Sequence, residues 1–192
     1  MQKLIFATNN QHKTQEIRSV LKGSFDIITL QEAGIDIEIP EPYDTLEENA
    51  RTKAATIYQL TQTSCFGEDT GLEVDALNGA PGVKSARYAG EGRDFNANVE
   101  KLLADLKNKP NRQARFRTVI SLILNGKEYQ FKGICEGRIT EKPAGNAGFG
   151  YDPVFVPQPD NRTFAEMTLE EKNIYSHRAK AMDQLIRFLL TV

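Results

Sequence analysis

Five short stretches carry side chains suited to phosphate, metal or a flat ring. Thr8, Asn9, Asn10, Gln11, His12 and Lys13 stand where an apolar run ends and helical spacing begins. A helix start offers unpaired backbone N–H groups and a positive dipole end, both favourable to an anion. Lys13 adds a point charge and Thr8 a hydroxyl, although the glycines of a Walker A loop are missing and an ordinary capped helix start reads the same way. Glu68 and Asp69 precede Thr70 and Gly71. Adjacent acids at a strand end offer oxygen ligands to a hard cation, and a carboxylate there can take a proton from water. Their simpler reading is a turn acid bonded to its own backbone.

Glu41 is followed by Glu47, Glu48, Asn49 and Lys53, and Asn49 and Lys53 share a helix face at four-residue spacing. Gly148 to Pro153 is a glycine-flanked loop. Its backbone can approach a ligand closely, Phe149 can stack on a ring, and Asp152 can accept hydrogen bonds from that ring. Lys172 is a second candidate phosphate contact, and His177 with Arg178 supplies donors for a carbonyl. Taken together these residues describe a site for a metal, several phosphates and a flat base. Mg²⁺ is the natural cation, since it binds a few carboxylates together with phosphate oxygens.

The elements that carry them follow from periodicity. Lys3 to Thr8 is an apolar run that predicts a buried strand, with a helix after it through Ile17, Val20 and Leu21 and a stop at Gly23. Asp26 to Leu30 predicts a second strand. Residues 23–50 hold eight acids and no Lys or Arg, which fits a solvated face or a cation-binding region. Thr45 and Glu48 predict a capping box opening a helix through Tyr58. Ser64 to Asp69 predicts a strand ending at Thr70-Gly71, and Leu72 to Leu77 a half-buried one. Val99, Leu102, Leu103 and Leu106 mark an amphipathic helix. Arg115 to Leu124 and Glu128 to Thr140 flank Asn125-Gly126 and predict a hairpin. Asp152 to Val156 predicts a strand, and one long helix runs from a capping box at Thr168 and Glu171 to Leu189. Helices alternating with strands around a central hairpin predict an α/β fold with a mixed sheet.

Composition removes several classes. A chain of 192 residues with 40% hydrophobic and 26% charged residues fits one domain, or two small lobes sharing a core. A net charge of −2 argues against a non-specific nucleic-acid binder. The basic cluster at 101–117 reads as a solvated face, with an RNA-binding module as its rival. No apolar run reaches membrane-spanning length, and the first residues read as a strand, not a signal peptide. Two widely separated cysteines, Cys65 and Cys135, predict neither a disulfide framework nor a zinc site. The expectation is a cytoplasmic protein.

The ordered set Thr8-x-Asn10-x-x-Lys13, Glu48-Asn49-Ala50 with Lys53, Asp69-Thr70-Gly71-Leu72, Ser85 to Gly90, Gly148 to Pro153 and Ser176-His177-Arg178 resembles the inosine/xanthosine triphosphate pyrophosphatase family. The likeness runs over nearly the whole chain. It implies a single domain over residues 1–192, an elongated mixed sheet flanked by helices, and two lobes with the active cleft between them. It also implies hydrolysis of ITP, dITP and XTP to the monophosphate and pyrophosphate, with Mg²⁺ as cofactor and a homodimer as the assembly. Thr8 to Lys13 then take phosphate. Asp69 is the catalytic acid and a metal ligand, Glu41 a second metal ligand, Lys53 the catalytic lysine, and Thr70 a substrate contact. Phe149, Gly150, Tyr151, Asp152, Lys172, His177 and Arg178 bind the base. Two positions depart from the family pattern: Pro42-Tyr43 where Thr-Gly is common, and Lys84 where an aromatic residue is common. The alternatives are a hydrolase of other modified nucleotides and a non-catalytic nucleotide-binding protein.

Overall fold

The computed structural model describes residues 3–21 and 25–191. The predicted helix stop at Gly23 lies outside them. The described residues form a mixed sheet in the order β2-β1-β3-β5-β6-β7, with β4 pairing on β3. The strands are β1 (Lys3–Phe6), β2 (Asp26–Thr29), β3 (Cys65–Val74), β4 (Pro81–Gly82), β5 (Gln113–Leu124), β6 (Lys127–Ile139) and β7 (Phe155–Pro157). β1 runs parallel to both β2 and β3, whereas β3–β4 and β6–β7 are antiparallel. Among the described residues five α-helices flank the sheet: α1 (Gln11–Leu21), α2 (Leu46–Thr61), α3 (Phe95–Asp105), α4 (Leu169–Tyr175) and α5 (His177–Leu189). This is the predicted α/β class. None of these helices is long and apolar enough to cross a membrane.

The chain divides into two compact units. The first comprises Met1–Asp69, Thr118–Gly133 and Arg178–Val192. Its sheet is buried on both faces, which explains why β1 is apolar from Leu4 to Phe6. Leu4 and Phe6 share one core with Ile17 of α1 and with Met182 and Leu185 of α5. Ile5 and Ala7 share another with Ala54 and Ile57 of α2. The second unit comprises Thr70–Arg117 and Ile134–His177. Leu72, Leu102, Phe116, Phe155 and Phe164 are central to its core.

The Asn125-Gly126 hairpin forms as predicted, both residues taking positive φ (51° and 79°). Four boundaries differ from expectation, the first being that the strand foreseen over Leu72 to Leu77 ends at Val74, with Asp75–Leu77 in a 3₁₀ turn. β3 runs unbroken through Thr70-Gly71. Gly71 is there for close approach: a Cβ on it would lie 2.7 Å from the Gly82 carbonyl oxygen of β4. Residues Asp152–Val154 form a 3₁₀ turn, so only Phe155–Pro157 is strand. The C-terminal helix breaks at Ser176, whose ψ of 131° is extended. The Thr168–Glu171 capping box is complete, whereas at α2 Thr45 caps Glu48 N–H and Glu48 returns only to the Thr45 hydroxyl.

Candidate active site

In the first unit, β3 sets up a charged cluster by alternation. Successive strand residues point to opposite faces, so Cys65 and Asp69 face α2 while Phe66 and Glu68 face α1 and α5. Gly67 lets α2 lie close to the strand: a Cβ there would come within 2.7 Å of the Lys53 Cβ. Lys53 Nζ consequently donates to the Glu68 carbonyl at 3.0 Å and to Asp69 Oδ1 at 3.2 Å, and it also pairs with Glu41. On the other face, Lys13 Nζ meets Glu68 Oε2 at 2.6 Å. Arg178 Nη2 and Nε donate to Glu68 Oε1 at 3.0 and 3.2 Å, and its Nη1 donates to Glu16.

The loop bearing Glu41 is pinned despite Pro42. The buried Asn49 amide accepts from Tyr43 N–H and donates to Tyr43 C=O, both at 3.0 Å. Asn10 caps α1, its Oδ1 taking Lys13 N–H at 3.2 Å, and its own N–H donates to Thr8 Oγ1. Asn9 Nδ2 donates to the Ile37 carbonyl at 2.9 Å. Gln11 and His12 are exposed at the helix start. A cavity of about 490 Å³ opens beside this loop, lined by Thr8, Asn9, Gln11, Thr29 and Asp36 among others.

Burial raises the Asp69 carboxyl above its ordinary value; Lys53 and Lys13 oppose that shift, while Glu41 and Glu68 add to it. Burial works against the Lys53 charge, yet Asp69 and Glu41 outweigh it and hold the proton more tightly than usual. Arg178 is likewise held charged: Glu68 and Glu16 overcome its burial.

The second unit holds a smaller cluster. Asp152 Oδ2 accepts from Phe149 N–H at 2.9 Å and from the buried Lys172 Nζ at 2.6 Å. Gly148, at φ +74°, leaves room for that carboxylate, since a Cβ there would collide with it. Lys172 Nζ also lies 5.3 Å from the centre of the half-buried Phe149 ring and 5.2 Å from that of Phe164.

The structure therefore brings Lys13, Glu41, Lys53, Asp69 and Arg178 into one cluster, and Phe149, Asp152 and Lys172 into another. Three expected ligand contacts have other duties. Tyr151 is buried in the second unit's core, and its hydroxyl donates to the Ser85 carbonyl at 2.7 Å. His177 stacks on Phe116 with ring centres 4.6 Å apart. Arg178 uses at least three of its N–H donors to hold Glu16 and Glu68. Thr70 lies half-buried in β3, and Gly150 follows Phe149 at φ +63°. Glu16 was not foreseen at all, and Glu68 was foreseen only as half of an acidic pair. Three of the six basic residues at 101–117 are paired with acids, and Arg112 is tied to backbone. Lys101 meets Asp105, Arg115 meets Asp75, Arg117 meets Glu73, and Arg112 donates to three carbonyls.

Among the described residues no three His, Cys, Asp or Glu side chains gather closely enough to hold a metal unaided. Mg²⁺ requires less, one or two carboxylates with the rest supplied by substrate and water. Asp69 and Glu41, joined through Lys53, meet that requirement. Asp69 Oδ2 is buried without a hydrogen-bond partner among the described residues. An unsatisfied buried carboxylate oxygen calls for an ion or a water, so the donor set fits a hard cation.

Known proteins resemble this chain over nearly its whole length. A profile of the Ham1 family matches residues 4–188. The chain is 52% identical to a dITP/XTP pyrophosphatase of Flavobacterium johnsoniae over 187 residues, 97% of each chain. It is also 52% identical to a dITP/XTP pyrophosphatase of Porphyromonas gingivalis, covering 99% of this chain and 98% of that one. The solved structure of a HAM1 protein from Coxiella burnetii superposes with a TM-score of 0.91 at 35% identity, covering both chains fully. The chain belongs to the Ham1 family.

Proposed function

We propose that this protein hydrolyses the triphosphates of deaminated purine nucleosides (ITP, dITP and XTP) to the monophosphate and pyrophosphate. The observation that carries the reading is the Lys53–Asp69–Glu41 triad, with Lys53 and Asp69 buried and one Asp69 oxygen unpartnered. Relatives alike over nearly their whole length are named for this activity.

Asp69 and Glu41 are the residues that would hold Mg²⁺, which when bound neutralises phosphate charge and polarises the phosphoryl group. Charge supports its involvement. Glu16, Glu41, Glu68 and Asp69 against Lys13, Lys53 and Arg178 make four acids to three bases, or 3 − 4 = −1. Such a cluster attracts a polyanion only with added positive charge. Lys13 and Lys53 then orient the phosphates, and Asp69 accepts a proton from the attacking water, its raised affinity suiting that task. Whether Asp69 acts mainly as ligand or as base, the chemistry rests on it.

Base reading falls to Phe149 as the stacking ring and to Asp152 and Lys172, the buried Lys172 ammonium being the donor available to a purine 6-oxo group. An amino group at that position meets donor with donor, and such a mismatch costs about 1–3 kcal/mol per buried contact. The homodimer rests on the same family resemblance; the cytoplasmic setting rests on the sequence, and two buried cysteines outside any disulfide suit a reducing compartment.

The test is pyrophosphate release from ITP, XTP, ATP and GTP, with and without Mg²⁺. Fast Mg²⁺-dependent release from ITP and XTP, with ATP and GTP slow, is expected. A folded protein that binds ITP and releases nothing in Mg²⁺ would instead be a binding protein.

A further inference from the structure

Phe95 is a large apolar residue in an unlikely place. It opens α3 directly after the N-cap Asp94, whose side chain accepts from Ala97 N–H at 3.1 Å. Capping asks nothing of the side chain at this position. Phe95 lies three and four residues ahead of the buried Asn98 and Val99, on the same helix face. Yet it remains 38% exposed, beyond the end of the packed stripe.

Its ring contact explains the position. Phe95 and Phe149 lie with ring centres 5.9 Å apart and planes tilted by 48°, an attractive aromatic geometry. The bonds that hold the Phe149 loop act on its backbone: the N–H to Asp152 and the positive φ of the flanking glycines. They leave the side-chain torsions of Phe149 to be set by its neighbours. Lys172 Nζ is one such neighbour, and the Phe95 ring is another.

We infer that Phe95 is a positioning residue for substrate, presetting the Phe149 ring on which the purine stacks. The inference rests on Phe149 being the base platform. A ring already oriented loses little freedom when the base arrives, so the benefit belongs to binding. Interactions equal in ground and transition state move KM and leave kcat alone.

The test is steady-state ITP hydrolysis by Phe95→Ala, Phe95→Leu, Phe149→Ala and the Phe95→Ala/Phe149→Ala double variant, each checked for folding by circular dichroism. Phe149→Ala should raise KM about tenfold, the scale of one lost base–aromatic stack. Phe95→Ala should raise KM about threefold to fivefold with kcat nearly constant, the scale of one side chain that must now be ordered. Phe95→Leu should fall between Phe95→Ala and the parent, and it carries the comparison if the alanine variant does not fold. In the double variant Phe95→Ala should add nothing. An unchanged KM for Phe95→Ala alongside an impaired Phe149→Ala overturns the inference, as does full additivity. An unchanged Phe149→Ala removes the base-platform reading itself, and this inference with it.

Discussion

Asp69 carries its charge where burial opposes it, and that conflict makes it testable. Its folded pKa lies above the ordinary 3.8, with desolvation the largest cause. For such a group, stability is fully present below the unfolded pKa and is lost as pH rises through the folded one. Asparagine keeps the shape and removes the titration. Asp69→Asn should therefore gain in Tm relative to the parent as pH rises above 3.8. Pyrophosphate release should fall about a hundredfold or more, the scale of a lost proton acceptor. Thermal scans across that range, beside the ITP assay, check both halves. A variant that instead loses ground to the parent as pH rises would show Asp69 stabilised by its lysines more than it is penalised by burial. Function held at a cost to stability is the usual sign of a working site.

At the scale of elements, two tight contacts position the chemistry. Gly67 brings α2 against β3 so that Lys53 reaches Asp69, and the Asn49 amide ties down the chain beside Glu41. Gly67→Ala forces its methyl into Lys53 and the α2 backbone, where overpacking costs about 1–3 kcal/mol. A lower urea midpoint together with a lower kcat for ITP is expected. Full activity at reduced stability would mean that the contact serves packing alone. The sequence made Asn49 and Lys53 legible through their shared helix face. The duty of Gly67 was not legible, because a glycine in a strand says that something approaches without saying what. Thr70-Gly71 misled for the same reason, reading as a turn while serving the approach of β4. The Ser176 break was hidden too, since no glycine or proline marks it. A serine, whose hydroxyl competes for local backbone groups, is the only trace.

Across the whole molecule, the ordered motifs were legible because chemistry constrains residue type locally, whereas their partners were set by distant chain. Glu16 meets Arg178 across 162 residues, and no periodicity in α1 announces that. Tyr151 sits inside a recognisable motif, yet core packing in its own unit claims it. Pairing that is mostly local in the chain governs the response to acid. Hydrogen bonds from Arg18, then from the Thr29 backbone, lower Glu32 from 4.5 to about 2. In the other unit, Arg162 lowers Asp160 and Glu171. Tyr88 and Lys101 lower Asp105, while Arg51, Ser121 and Gln130 lower Glu128 against its burial. A depressed carboxylate contributes stability above its unfolded pKa, and that contribution is lost as pH falls through the folded one. For Glu32 the window runs from 4.5 down to about 2. Glu32 is exposed and the others are half-buried, and pairs in reach of solvent are individually weak and screened by salt. The urea midpoint should thus decline steadily as pH drops below about 4.5. Glu32→Gln alone should barely change that slope, and replacing Glu32, Asp105 and Glu171 together by their amides should flatten it. If Glu32→Gln alone removed the decline, one ion pair would be governing acid stability, and the distributed account would be wrong.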